Sequence, residues 1–449
     1  MTSLTYGINA WLFLNEDEPP KTNYNSPDSC FQTLIRYRTY DSAEFIGIAF
    51  FEVVDATTGC SIEIGASSHP GGLTNRDYLD YVLRDARQVN PGIKFLATMV
   101  YGGSNTLAKV FANGGDPQAQ ASAFAANLVA YLQANGMNGI DIDWEGDVSE
   151  QLTRSQFQIL FSTIRQVFDA QPVKYYLSFT PAWPTSSIDY PTVNSVFDFV
   201  SPQFYDSTPL SSFLSAGISP AVIGYGAQFE PGNAAPNTSA QQVWNAVSAG
   251  FTHGGMQYGY QDIFMWRLNS GNYQFEQAQF MILGQLARLP AGNSFDDSAI
   301  IGAAGNPALT ALTIRSGDVL DALQATNTGT TSFNTGPNDA NLYSLLQHGG
   351  NGGTAHALTL PQKDPIVEIS GYTGLWYGWQ CVLQLTLTGK SGKTYGPFGT
   401  MAGSLGRTPF TQTAPAGQSV VAFSGTTLTV PLAGGNPTSI IGSLNAFFG

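Results

Sequence analysis

The spacing of apolar and polar residues divides the chain into two stretches of different rhythm. Up to residue 289, short apolar runs alternate with segments of helical spacing. The runs at 6–13, 45–54, 93–100, 139–145, 175–179, 197–205, 221–225 and 262–266 read as strands. Between them, Tyr78, Leu79, Val82 and Ala86 keep helical spacing behind a Thr74-x-x-Asp77 capping box. Phe124, Leu128 and Leu132 form another helical face, opened by Asp116-Pro117 and stopped at Gly136. Phe157, Leu160, Phe161, Ile164, Val167 and Phe168 mark the clearest amphipathic helix. Further helices are predicted at 241–249 and 275–289. Eight strands separated by helical or long connections is the rhythm of a (β/α)8 barrel, a fold of typically ~250 residues with its site at the C-terminal strand ends.

Residues 290–297, beginning Pro290-Ala291-Gly292-Asn293-Ser294, read as a linker. Beyond it helical periodicity disappears. Short runs rich in Val, Ile, Leu and Thr, at 311–314, 366–369, 382–387, 420–423 and 428–430, alternate with Gly-rich turns. That pattern predicts an all-β sandwich or prism over 298–449. The expected fold class is multidomain: α/β over 1–289, then all-β.

Within the barrel pattern one strand is chemically unusual. In Ile140-Asp141-Ile142-Asp143-Trp144-Glu145 apolar and acidic residues alternate strictly. Ile140, Ile142 and Trp144 fall on one face, and Asp141, Asp143 and Glu145 on the other. Crowded carboxylates in a partly desolvated place resist full ionisation, so one tends to keep its proton near neutral pH, as a general acid needs. The plainer reading is the wet face of a half-buried strand. Helices run into and out of this strand, however, and parallel strands rarely face water. The acids are therefore expected inside a barrel or at its mouth.

Composition narrows the partners. The 449 residues carry 18 basic and 32 acidic side chains, a net charge of −14, which disfavours nucleic acid and anionic membranes. Charged residues are only 11 %, a balance that suits an extracellular protein handling neutral polymers. Residues 1–13 lack the basic-then-apolar pattern of a signal peptide. Export by a removed leader or by another route is the expectation. No apolar run approaches the ~20 residues of a membrane span. Cys30, Cys60 and Cys381 make no disulfide framework, with a Cys30–Cys60 bridge the one pairing considered. His69, His253, His348 and His356 are scattered, so neither a metal nor a cofactor is expected.

The stretch 138–145 resembles the DGxDxDxE signature of glycoside hydrolase family 18, the chitinase family. Ile46-Gly47-Ile48-Ala49-Phe50 looks like that family's second-strand pattern, and Lys94-Phe95-Leu96-Ala97-Thr98 its third, with Thr98 where a serine is usual. Gln203-Phe204-Tyr205-Asp206 looks like the sixth-strand motif, and Trp266 matches the tryptophan ending the eighth strand. Asn138 stands in place of the first aspartate, for which tuning rather than loss of activity is expected. The resemblance implies roles. Glu145 would protonate the glycosidic oxygen and later activate water. The substrate's own 2-acetamido carbonyl would be the nucleophile, an exception to the two-carboxylate scheme. Asp143 would orient the acetamido group and stabilise the oxazolinium charge, and Asp141 would share a proton with Asp143. Tyr205 would bond the acetamido oxygen. Asp206, Gln203 and Thr98 would serve the substrate subsite, with Trp266 beneath the sugar.

The second stretch resembles a jacalin-type lectin domain, a β-prism of three four-stranded sheets. The resemblance rests on the pieces 314–323, 348–353, 364–372, 395–399 and 421–425. In that family a Gly-rich loop and a GxxxD loop bind sugar. Here 302–305 matches the first in part, and Gly425 is followed by Thr426-Thr427-Leu428-Thr429 with no aspartate. The ligand expected of this domain is a second glycan or a protein. Tyr372, Trp376, Tyr377 and Trp379 read as core or inter-sheet packing rather than a glycan platform. The whole chain reads as a chitinase acting on chitin or a GlcNAc-containing glycan. The alternatives are an endo-β-N-acetylglucosaminidase of N-glycans and a silent chitin-binding lectin.

Overall fold

Glycine at position 139 shows how tightly the first part of the chain is wound. A Cβ there would lie 2.0 Å from the carbonyl oxygen of Tyr176 on the neighbouring strand. Gly139→Ala is expected to destabilise the protein by about 1–3 kcal/mol, the usual cost of overpacking. A lowered denaturant midpoint checks it, and an unchanged midpoint would show that the strands can part.

The computed structural model describes residues 4–14, 23–230, 237–288, 294–305, 308–328, 342–431 and 437–449. The chain forms two compact units, Met1–Ala287 and Arg288–Gly449. In the first, eight parallel strands follow one another around a barrel: β1 (Ile8–Phe13), β2 (Phe45–Asp55), β3 (Lys94–Met99), β4 (Gly139–Trp144), β5 (Tyr176–Pro181), β6 (Phe199–Val200), β7 (Tyr225–Gln228) and β8 (Ile263–Trp266). β8 pairs with β1 in parallel, and a single parallel bridge from Val200 to Ile223 joins the β6 and β7 segments. The barrel interior holds Trp11, Phe45, Leu96, Phe199 and Phe264, one side chain from each of five strands. Trp11 and Phe264 stack at 3.9 Å. Gly47 on β2 leaves the room this needs, since a Cβ there would meet the Trp11 ring at 2.6 Å.

The expected caps form. Thr74 makes a reciprocal capping box with Asp77 ahead of helix Asn75–Val89. Asp116 caps helix Pro117–Asn135, which Gly136 ends in the left-handed region. Helix Arg154–Asp169 buries Phe157, Leu160, Phe161, Ile164 and Phe168. Among the described residues no helix is long and apolar enough to cross a membrane. Cys30, Cys60 and Cys381 are thiols, so the Cys30–Cys60 bridge is absent.

Two strand expectations are corrected. The apolar run 197–205 yields only Phe199–Val200, followed by a 3-10 turn at Phe204–Asp206. Pro202 has no N–H to donate to a ladder. The expected strand at 221–225 is instead a 3-10 turn at Pro220–Val222, with β7 starting at Tyr225.

Among the described residues the second unit forms three antiparallel sheets, the arrangement of a β-prism. Their main strands are Val420–Val430 with Thr438–Phe448, Leu309–Ser316 with Leu320–Thr328, and Ile366–Trp376 with Trp379–Gly389. Trp376, Cys381 and Leu383 meet Val430, Ile440 and Val319 in a shared core. Of the expected linker, residues 290–293 lie outside the described residues, and Ser294–Asp296 is a strand paired with Val420–Val430. The runs 420–423 and 428–430 belong to one strand, interrupted by a register shift at Thr426/Thr427. Gly425 therefore lies inside a strand and not at the base of a loop. The partly matching Gly-rich loop 302–305 is likewise no open cradle. Gly302, Ala303 and Ala304 are buried at the end of helix Ser298–Ala303, where small residues let the helix approach its sheet.

The aromatic group also differs from expectation. Trp376 alone enters the core, while Tyr372, Tyr377 and Trp379 are 37 %, 70 % and 40 % exposed. Tyr377 and Gly378 both take positive φ, which makes a two-residue hairpin turn and carries Tyr377 to the tip.

Candidate active site

The acidic strand β4 points its carboxylates along the barrel axis toward the C-terminal rim. Asp141 is deepest and fully buried. Four donors from three other strands surround it. Trp11 Nε1 donates at 2.9 Å and Thr98 Oγ1 at 3.2 Å to one oxygen. Ser178 Oγ at 2.5 Å and Thr180 Oγ1 at 3.2 Å donate to the other. Burial raises the Asp141 carboxyl, and these donors oppose that rise. Both oxygens thus accept hydrogen bonds.

Asp143 lies one pleat nearer the rim and is 6 % exposed. Gln203 Nε2 donates to its Oδ1 at 2.8 Å and to the Thr180 carbonyl at 3.1 Å. Burial, and next the carboxyls of Glu145 and Asp141, hold the Asp143 carboxyl well above the usual carboxylate range. Glu145 follows the last residue of β4 and is half-buried. Burial, with Asp206 nearby, pushes its carboxyl up to about 7. Burial thus favours the protonated form of both carboxyls, and the charge of each opposes ionisation of the other.

A cavity of about 280 Å3 opens over these groups. Asp143, Glu145, Gln203, Tyr205 and Asp206 supply its polar lining, and Trp11, Phe13, Phe50, Tyr101 and Trp266 its aromatic walls. The Trp266 ring is braced edge-on by Trp11 at 5.6 Å and stacked near Phe50 at 6.2 Å. The Arg267 guanidinium, paired with Glu230 at 2.9 Å, lies 5.6 Å from the same indole. Tyr205 is buried. Burial first, then Asp143, raises its phenol well above the ordinary value, so it remains a neutral O–H donor. Burial likewise raises Asp206.

Of the residues singled out in the sequence, Asp143, Glu145, Gln203, Tyr205, Asp206 and Trp266 line one cavity. Thr98 is not part of that lining. It is fully buried on β3, and its hydroxyl accepts from Trp11 and donates to Asp141. Tyr205 and Asp206 come from the 3-10 turn after β6 and not from a strand end. Sequence reasoning missed Trp11, Ser178 and Thr180 around Asp141, and Phe13, Phe50 and Tyr101 in the walls. The signal for Ser178 and Thr180 was present: two hydroxyl residues at period two in the otherwise apolar β5. Among the described residues no group of three or more His, Cys, Asp or Glu is placed to hold a metal ion.

The arrangement offers a carboxyl pushed up to about 7 at a cavity mouth, a second buried carboxyl behind it, a phenol donor and an aromatic floor. Two separate parts of the chain resemble known protein families. Residues 29–247 match the family model described as glycosyl hydrolases family 18, and residues 289–430 that described as a jacalin-like lectin domain. Among solved structures, the chain is similar to the GH18 chitinase ChiB of Flavobacterium johnsoniae, with 14 % identity, a TM-score of 0.43, and coverage of 64 % of this chain and 94 % of that one. A GH18 chitinase from Pseudoalteromonas aurantia shares 15 % identity at a TM-score of 0.41, covering 62 % of this chain and 99 % of its own. Malaysian banana lectin shares 23 % identity at a TM-score of 0.24, over 33 % of this chain and 89 % of that one. No curated protein matches the chain.

Proposed function

We propose that this chain, a glycoside hydrolase with a family 18 domain at residues 29–247 and a jacalin-like lectin domain at 289–430, is a chitinase. Both domains belong to carbohydrate-handling families, and the ligand is a carbohydrate. The proposed reaction cleaves β-1,4-linked N-acetylglucosamine polymers with retention of configuration. The reading is carried by Glu145, the carboxyl that titrates at about 7 beside the aromatic cavity.

In this reaction Glu145 gives its proton to the glycosidic oxygen as the bond to the anomeric carbon breaks. The carbonyl oxygen of the substrate's 2-acetamido group attacks that carbon and forms an oxazolinium ring. Asp143, held by Gln203, faces the amide nitrogen where positive charge develops. Tyr205 O–H donates to the acetamido oxygen and aligns it for attack. Trp266 gives the sugar's apolar face a flat surface. Water then opens the ring, with Glu145 taking its proton. Asp141 touches no substrate. Its four donors hold its carboxyl still, and so fix the polar surroundings in which Asp143 works.

A proton NMR time course on chitotetraose tests this. Early products rich in the β-anomer are expected. An early α-anomer would exclude retention, and no turnover by folded protein would turn the search to N-linked glycans.

A further inference from the structure

The aromatic cavity accommodates little more than the sugar being cleaved, yet an exposed aromatic side chain stands on each side of Glu145. Strand β4 lies between β3 and β5. Just past β3 is Tyr101, already in the cavity wall. Just past β5 is Trp183, 40 % exposed and absent from that wall. The parallel register pairs Trp144 with Pro181, and the Ala182 N–H donates to the Trp144 carbonyl at 3.2 Å. Ala182 is therefore level with Glu145, and Trp183 is one residue further out. A separate cavity of about 530 Å3 begins there, lined by Trp183, Ser186, Ser187, Ser149, Glu150 and Arg154 among others. That volume is within the ~300–1,000 Å3 of small-ligand clefts.

We propose, on the chitinase reading, that Trp183 is the stacking platform of a second sugar subsite, holding the part of the chain beyond the scissile bond from Trp266. Three observations carry it. First, the loop that carries Trp183 is tied down. The Trp144 indole N–H donates to Thr185 Oγ1 at 3.2 Å, the Thr185 and Ser187 hydroxyls lie 2.8 Å apart, and Ser187 Oγ donates to the Ser149 carbonyl at 2.7 Å. The same indole that neighbours Glu145 thus pins the loop carrying Trp183, and little ordering cost remains for binding. Second, the cavity suits a neutral ligand. Its guanidinium, Arg154, is already paired with Asp189 at 2.9 Å, and Glu150 is exposed. No uncompensated cation is left to draw a phosphate or carboxylate. Third, the cavity combines a flat indole with hydroxyl groups, which matches a pyranose: an apolar C–H face and a polar edge.

The test uses the full-length chain in the Glu145→Gln background, so that oligomers bind without being cleaved, and reads Kd by calorimetry. Chitobiose and chitohexaose are compared with Trp183 present, in Trp183→Ala and in Trp183→Phe. The preference for the hexamer over the dimer is expected to fall ~10-fold in Trp183→Ala, the scale of one lost aromatic contact. Most of it is expected to return in Trp183→Phe. An unchanged preference in Trp183→Ala would overturn the subsite and leave the chitinase reading intact. No binding of either oligomer with Trp183 present would overturn both, which is a different and recognisable result.

Discussion

Replacing Glu145 by glutamine is expected to lower kcat on chitotetraose by ~10²–10⁴-fold, the usual worth of a positioned general acid–base. The amide keeps the size of the carboxyl but has no acidic proton to give the leaving oxygen and no lone pair basic enough to activate water. Burial with Asp206 nearby raises the Glu145 carboxyl to about 7, and this fixes the sign of the pH dependence. Below about 7 the carboxyl is protonated and can act as acid. Above it the acid form is lost, so kcat/KM of the wild type should fall about tenfold per pH unit. Whatever residual rate Glu145→Gln retains should lack that alkaline limb. Full turnover by Glu145→Gln, or a wild-type profile flat from pH 6 to about 9, would remove Glu145 as the proton donor.

Asp143→Asn is the second large effect. Activity should fall ~10²–10³-fold, the scale of losing one preorganised electrostatic contact to a developing charge. Stability should move the other way. Asp143 is buried, and Glu145 and Asp141 crowd it. Asparagine is isosteric and its Oδ1 can still accept from Gln203, whose amide lies 2.8 Å from the native oxygen. Relief of the buried like-charge crowding should therefore raise the melting temperature. Thermal melts and kinetics on one preparation decide the point. A variant both inactive and less stable would make Asp143 a structural residue; one that is fully active would remove it from the reaction.

Much of this molecule was legible because the relevant rules are local. Helix ends at Thr74, Asp116 and Gly136 depend on residues within one turn. The alternation through Asp141, Asp143 and Glu145 is a property of a single strand. The failures occurred where a distant partner decides. The run 197–205 is apolar enough for a long strand, yet pairing stops at Val200, before Pro202. The chain then curls to bring Tyr205 into the cavity that Asp143 lines. The register that starts β7 at Tyr225 is set by β8, some forty residues downstream. In the second unit, a register shift inside Val420–Val430 broke the alternation and disguised one strand as two.

By itself, then, the sequence determined the two-part architecture, the acidic strand and the candidate proton donor Glu145, since periodicity and residue chemistry are written along the chain. Only the tertiary structure decided what surrounds those acids. Trp11, Thr98, Ser178 and Thr180 converge on Asp141 from positions between 37 and 130 residues away. It also decided that Thr98 serves Asp141 and not the cavity wall, and that Trp183 lies just past β5, the strand paired with β4. The physical reason is that barrel closure sets neighbours through strand register, and register belongs to pairs of strands rather than to any one of them.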